Sequence, residues 1–484
     1  MNKELKRVST VVLLMFVSLF LSSSIIQVVA ADGLKADGRN SRTLYASYSA
    51  ERGPILVDGQ PIAYSQPVDD DFKFQRVYTN GPLYAPVTGY LTLNQGNTGL
   101  ESALNSDLTG TSNNQFFDQV NAILTGQNPK GASVETTIDP VVQQAAWDAL
   151  GDYEGAVIAI RPKTGEIIAM VSKPTFDPNG LAVHDTNAVI DLYNQLLDDP
   201  LDPLINRTLA GDLDPPGSTF KLVTTSAALE SGKYTPDTAF PNPAELTLPE
   251  SNSVIGNSDG GTCGSGETAT IATALRLSCN IPMAELGLDL GYRAILDQAN
   301  DFGFNESIDV PLTSTPSYYP RVLDDPQTML SAFGQGEVRA SPLQMAMVSM
   351  AIANGGVLMK PNLVESVVSS NLTTIQSFEP EIYKQAISQQ TAATMTQLMV
   401  EAVANGAANT ATIDGVDVAG KTGTAQNDGD NPYTLWFTGF APANDPEVVV
   451  AVVVQNGGGL GQDGTSSGIS APIGRKVLEA VLFR

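Results

Sequence analysis

Ser218 and Lys221 stand three residues apart, directly after Asp214-Pro215-Pro216-Gly217, and no other lysine in the chain has a serine three positions before it. The prolines and glycine end an extended segment, which predicts a helix opening at Ser218. Residues at i and i+3 share a helix face, so hydroxyl and amine meet on its first turn. A serine hydroxyl is a weak nucleophile until a base takes its proton, and a partly desolvated lysine of lowered pKa does this without histidine. The helix N-terminus adds N–H groups and the positive end of a dipole, suited to developing negative charge. Taken alone, the pair reads equally well as a helix with an exposed lysine.

Two triplets downstream change that balance. Ser278-Cys279-Asn280 and Lys421-Thr422-Gly423 follow in the order S-x-x-K, S-x-N, K-T-G of a serine acyl-transferase constellation. Lys163-Thr-Gly and Ser112-x-Asn114 precede the nucleophile, and the first reads as a hairpin turn. Ser369-Ser370-Asn371 sits in a polar loop without the helical surroundings of Ser278.

Other chemistries fall away by counting. With one histidine and two cysteines, the chain has no HExxH or CxxC pattern and no His-rich zinc site. His184 lies in a polar stretch and reads as a surface residue without a role. Gly415 to Thr422 fits GxxxxGK[ST], but its interior Val416-Asp417-Val418 is strand-like and no helix opens after it, so a phosphate loop is excluded. Gly459-Leu-Gly461-Gln-Asp-Gly464 fits GxGxxG, yet too little chain follows for a dinucleotide fold, and a flexible surface hairpin is expected. The 52 acidic against 26 basic side chains, a net charge of −26, exclude broad nucleic-acid binding.

The elements that must position these residues are spread along 484 residues. Val8 to Val29 carries no charge and follows Lys3, Lys6 and Arg7, which predicts a transmembrane helix at 8–29 with a cytoplasmic tail at 1–7 and the remainder outside the cell. A cleaved signal ending near Val29-Ala30-Ala31 is the alternative, and the length of the run favours the anchor. In that oxidising compartment Cys263 and Cys279 are expected to pair, the alternative being two unlinked thiols. Residues 32–133 read as a small β-containing module, with Pro54–Val57 and Gln75–Tyr78 as strand-like pieces and Asn94 to Asn114 as loop or linker. From 134 to 484 a single α/β (α+β) domain is expected. Its strands are Val134–Ile138, Gly155–Ile160, Ile167–Val171, Val416–Ala419, Trp436–Phe440 and Val448–Val454. Its helices are Pro140–Leu150 and Ala471–Leu482, with a mostly helical middle from Ser218 to Asn354.

With these motifs in order the chain resembles the penicillin-binding proteins, most closely the class B type of actinobacteria. Glu135-Thr-Thr-Ile-Asp-Pro, Gly155 to Ile167, Pro216-Gly-Ser-Thr-Phe-Lys, Phe333-Gly-Gln-Gly, Ser341-Pro-Leu-Gln-Met-Ala and Ala353-Asn-Gly-Gly all look like family text. Arg52-Gly53 with Asp58-Gly59 resembles the family's N-terminal module. The resemblance implies an antiparallel sheet flanked by helices, as in the serine β-lactamases, and a dimerisation-like or pedestal module before it. It implies a peptidoglycan D,D-transpeptidase that is also acylated by β-lactams. Ser218 would be the nucleophile, Lys221 its base and Ser278 a proton relay. Asn280 would hold the substrate amide, and Lys421 and Thr422 would bind the terminal carboxylate. The N–H groups of Ser218 and Thr424 would form the oxyanion hole, with Gly423 allowing close approach. No cofactor and no metal is implied; a SEDS-family glycan polymerase is implied as a partner. Where many relatives carry a histidine this chain reads Tyr433-Thr-Leu-Trp436, so no substrate role is carried over there. A D,D-carboxypeptidase and a non-catalytic scaffold or β-lactam sensor are the alternatives. A β-lactamase lacks support, because no E-x-x-L-N segment is present.

Overall fold

A single long helix, α1 (Lys3–Ser24), opens the chain; it is long and apolar enough to cross a membrane, with every side chain exposed. The computed structural model describes residues 3–26, 50–115 and 130–484, apart from positions 212, 259 and 428. The last three residues of the expected span, and the alternative cleavage stretch, lie outside the described residues.

The next strands are β1 (Ile55–Val57), β2 (Gln60–Pro67), β3 (Phe74–Tyr78) and β4 (Ser133–Thr136). Then come the helix α2 (Pro140–Leu150), capped by Asp139, and the hairpin β5 (Gly155–Ile160) and β6 (Ile167–Lys173). After Ser218 the chain forms α3 (Lys221–Glu230), α4 (Ile271–Leu277), α5 (Ile281–Leu290) and α6 (Pro342–Ala353). It continues through β7 (Val364–Val368), β8 (Thr374–Ser377), α7 (Gln389–Ala404), β9 (Ala419–Ala425), β10 (Thr434–Ala441), β11 (Val448–Val454) and α8 (Ser470–Leu482).

Five strands form an antiparallel sheet in the order β9-β10-β11-β5-β6, so the expected joining of early and late strands holds. Its strands read as apolar runs because both faces are covered. On β11, Val449, Ala451 and Val453 face a core that contains α6, while Val448, Val450, Val452 and Val454 face α2 and α8. The period of two along a strand accounts for this division. Helix α6 is buried on all sides from Pro342 to Ile352, which fits its uniformly apolar sequence.

A second sheet, ordered β8-β7-β4-β1-β2-β3, joins strands from the C-terminal part of the chain to those of the N-terminal module. β4 pairs parallel with β1 and antiparallel with β7, so the two parts share one ladder.

Four expectations need correction here. Asn94 to Asn114 is not a linker: it folds into short helices, Gly99–Ala103 and Asn105–Leu108, that bury Leu100, Glu101 and Leu108. The buried Glu101 is the reason, since Arg52 Nε and Arg76 Nε reach its two oxygens at 2.5 and 2.6 Å. The strand expected at Val416–Ala419 begins only at Ala419; Ile413 and Val416 form an isolated bridge around Gly415 instead. His184 is not a plain surface residue, because its Nδ1 lies 2.5 Å from Asp70 Oδ2 and its ring packs on Phe72. The helical middle is interrupted between α3 and α4 by short strands, including the hairpin Glu245–Thr247 with Val254–Gly256.

Candidate active site

The approach to Ser218 is held from both sides. Asp214 accepts from Thr434 Oγ1 at 3.2 Å and from Gln455 Nε2 at 2.8 Å, while Trp436 Nε1 donates to Pro215 O at 2.9 Å. Burial pushes the Asp214 carboxyl up to about 6. The Tyr433–Trp436 stretch thus fixes the segment before Ser218. Gly217 (φ +51°) then turns the chain into the 3-10 turn Gly217–Phe220, and α3 proper starts at Lys221. Ser218 therefore sits on a tight 3-10 turn ahead of the α-helix rather than on the helix itself, and it is buried.

β9 runs close to this turn. A Cβ on Gly423 would lie 2.8 Å from Pro216 O and 2.9 Å from Thr219 N, so only glycine permits the approach.

Lys221 is fully buried, and its Nζ donates to Ser278 O at 2.6 Å and to Asn280 Oδ1 at 2.9 Å. Burial, with the neighbouring charge of Lys421 adding to it, holds its amine well below the ordinary lysine range. Lys421 Nζ donates to Ser278 Oγ at 2.7 Å and Thr422 O at 2.8 Å, and burial lowers it to about 7. Ser278 has a left-handed backbone (φ +64°) between α4 and α5, which turns its hydroxyl and carbonyl toward the two lysines. All three motifs thus meet in one hydrogen-bonded cluster. Two amines of lowered basicity around Ser278, next to the Ser218 turn, form an arrangement able to move protons without imidazole.

Thr422 is buried with its hydroxyl toward Ala407 O at 3.4 Å, and Thr424 Oγ1 lies 2.7 Å from Ser466 Oγ, which itself donates to Gly423 O. The GxGxxG stretch is not a hairpin but two 3-10 turns, Asn456–Gly459 and Gly461–Asp463, leading to Ser466. Cys263 and Cys279 are joined by a disulfide, closing the expected loop and placing a covalent link inside the S-x-N triplet. The other triplets are turn chemistry: Gly165 N donates to Arg161 O in the β5–β6 turn, and Ser369 Oγ donates to Asn371 Oδ1 in the β7–β8 turn. Asp214, Asn257 and Ser466 were not singled out by the sequence. None belongs to a motif, and a proline pair after Asp214 was the only local signal.

Residues 155–479 match the family described as the penicillin binding protein transpeptidase domain, and residues 52–134 match the penicillin binding protein A dimerisation domain. The chain belongs to the penicillin-binding protein transpeptidase family. It is 42% identical to the peptidoglycan D,D-transpeptidase PbpA of Mycolicibacterium smegmatis, over 100% of this chain and 99% of that one. Its identity to PbpA of Mycobacterium tuberculosis is 39% over the same shares. The solved structure of penicillin-binding protein A from M. tuberculosis as a ceftriaxone acyl-enzyme complex superposes with a TM-score of 0.87 at 38% identity, covering 90% of this chain and 100% of that one. As a penicillin-binding protein the chain has the expected α/β fold of sheet and flanking helices with a small N-terminal β module.

Proposed function

We propose that this protein is a peptidoglycan D,D-transpeptidase that cross-links stem peptides through a serine acyl-enzyme and is acylated covalently by β-lactams. The observation that carries the reading is the cluster in which Lys221 and Lys421 both reach Ser278 beside the Ser218 turn. Neutral Lys221 takes the Ser218 proton as Oγ attacks the carbonyl of the penultimate D-alanine. The resulting oxyanion is met by the N–H groups of Ser218 and Thr424, a stabilisation of about 3–4 kcal/mol per donor in other enzymes. Ser278, oriented by Lys421, passes its hydroxyl proton to the departing D-alanine amine as the C–N bond breaks and takes the former Ser218 proton from Lys221 in its place. Asn280 holds the substrate amide, and Lys421 with Thr422 takes the terminal carboxylate. An acceptor amine from a neighbouring stem then attacks the ester, the proton returns through the same groups, and Ser218 is freed.

In this reading residues 1–7 are a cytoplasmic tail, 8–29 a membrane anchor, 32–133 a pedestal module and 134–484 the transpeptidase domain outside the cell. The basic residues Lys3, Lys6 and Arg7 in the first turns of α1 support that orientation. A SEDS-family glycan polymerase is the proposed partner, tested by co-purification from membranes. The activity is tested with a stem-peptide thioester and a D-amino acid as acceptor. Acyl transfer by the wild type and none by Ser218→Ala is expected. Transfer that persists in Ser218→Ala refutes the nucleophile, and hydrolysis alone at high acceptor concentration identifies a carboxypeptidase.

A further inference from the structure

A side chain at a helix N-cap ordinarily bonds the first amides of its own helix, and asparagine is among the best residues for it. Asn280 occupies the N-cap of α5 and makes no such bond. Its Oδ1 accepts from Lys221 Nζ, and its Nδ2 donates to Gly256 O at 2.9 Å. Nor does the helix offer another capping side chain of its own. Pro282 has no N–H, and Met283 stands at the third position, where a Glu or Gln would reach back to the N-cap amide. The free amides are met from a different segment. Asn257 Oδ1 accepts from Asn280 N at 2.8 Å and from Ile281 N at 3.2 Å, while its Nδ2 donates to Gly261 O at 2.9 Å. Asn257 is buried.

We propose that Asn257 is a positioning residue for acyl transfer: by capping α5 from outside, it leaves the Asn280 amide turned to Lys221. Without that acceptor, the Asn280 and Ile281 amides lose their partner and the turn into α5 is free to shift, which carries Oδ1 away from Lys221. The loop that carries Asn257 does not depend on this contact alone. Cys263 is tied to Cys279, and Asn242 holds Cys263 through both its N–H, at 2.6 Å, and its carbonyl, at 3.1 Å. The assignment rests on the acyl-transfer reading above.

The test is the rate of acylation by a fluorescent penicillin, with thioester turnover resolved into kcat and KM, on the full-length protein. Asn257→Ala is expected to slow acylation about 10- to 100-fold, the scale of a small misplacement at a reacting centre, with the loss in kcat rather than KM. Asn257→Asp keeps the acceptor and loses only the donor to Gly261, so it is expected to stay within about threefold of wild type. In an Asn280→Ala background, Asn257→Ala should add no further loss, since one acts through the other. Asn242→Ala loosens the same loop without touching α5 and should acylate faster than Asn257→Ala.

Wild-type speed in Asn257→Ala, multiplying effects in the double variant, or an equal loss in Asn242→Ala would each overturn the assignment. So would an Asn257→Asp variant that has lost as much as Asn257→Ala. Should Asn257→Ala be too unstable to assay, the Asp variant decides: near-wild-type acylation supports the capping role and strong impairment overturns it. Wild-type acylation of Ser218, read by mass, checks the underlying reading separately. Its failure removes both proposals, whereas an unimpaired Asn257→Ala beside an active wild type removes only this one.

Discussion

Replacing Gly423 by alanine asks whether the spacing between β9 and the nucleophile turn sets the rate. The new Cβ would lie 2.8 Å from Pro216 O, 2.9 Å from Thr219 N and 3.0 Å from Thr219 Cγ2. Ordinary van der Waals contact begins near 3.4 Å, so strand and turn must part by about 0.5 Å. Two of the three atoms are backbone of the segment that carries Ser218, so no change of rotamer relieves the clash. A misplacement of 1 Å costs about a hundredfold in rate, so half of that on a logarithmic scale is about tenfold, or about 1.4 kcal/mol of barrier. The same strand supplies a control. A Cβ on Gly420 meets Phe437 Cε2 at 2.9 Å and Val403 Cγ2 at 3.1 Å, both side-chain atoms. Gly420→Ala should therefore destabilise the fold by about 1–3 kcal/mol and leave acylation unchanged. Stopped-flow fluorescence of penicillin acylation gives the limiting rate, and urea unfolding gives the stability. A Gly423→Ala enzyme within about twofold of wild type, or a Gly420→Ala enzyme slowed equally, refutes the reasoning.

The second-order acylation constant should fall above pH about 7, where free Lys421 loses the charge that receives the carboxylate, and fall again at lower pH as Lys221 protonates. Lys421→Arg should remove the alkaline limb, and a profile flat between about pH 5 and 10 would falsify this assignment. Lys421 also bears on stability. Unfolded, it keeps its proton up to about 10.4, whereas folded it releases it near 7, so the unfolded state holds the extra proton in that window and stability rises with pH across it. Lys421→Met should hence stabilise the fold more at pH 7 than at pH 10 in urea titrations; equal gains would contradict the burial argument. Glu101→Ala leaves Arg52 and Arg76 facing each other without a counter-charge and should cost about 3–5 kcal/mol; a loss below about 1 kcal/mol in denaturant unfolding would count against it. Removing the link with Cys263→Ser and Cys279→Ser, which closes a sequence separation of 16, should cost about 3 kcal/mol, visible as a lowered Tm; an unchanged Tm would refute the loop-entropy argument.

The three candidate motifs were legible because serine acyl-transfer chemistry demands particular types in a particular order, and Lys221, Ser278 and Lys421 meet in one hydrogen-bonded cluster beside the Ser218 turn. The central strands were legible for a different reason. Burial on both faces leaves β5 and β11 with unbroken apolar runs that resemble little else. Short elements carried no such signal. Helices of five and four residues around Glu101 are too brief for any periodicity, and a buried ion cluster looks polar in sequence. Val416 to Ala419 was misplaced because an apolar alternation reads alike in a turn bridge and in a strand. Asn257 and Asp214 escaped because their roles exist only across segments: one is 23 residues from the amide it caps, and the other meets Gln455 241 residues away.

The shared six-stranded sheet has a mechanical meaning. The chain enters β1 from the N-terminal side, and β4, parallel to it, leads on into α2 and β5 of the catalytic part. Tension applied between the N-terminal end and the catalytic part would therefore pull the β1–β4 ladder along its own strands, loading its hydrogen bonds together instead of peeling them one after another. β7 on the far side of β4 stiffens the same joint. A site mounted in this way keeps its orientation under load, like a tool head fixed to its handle rather than hung on a cord.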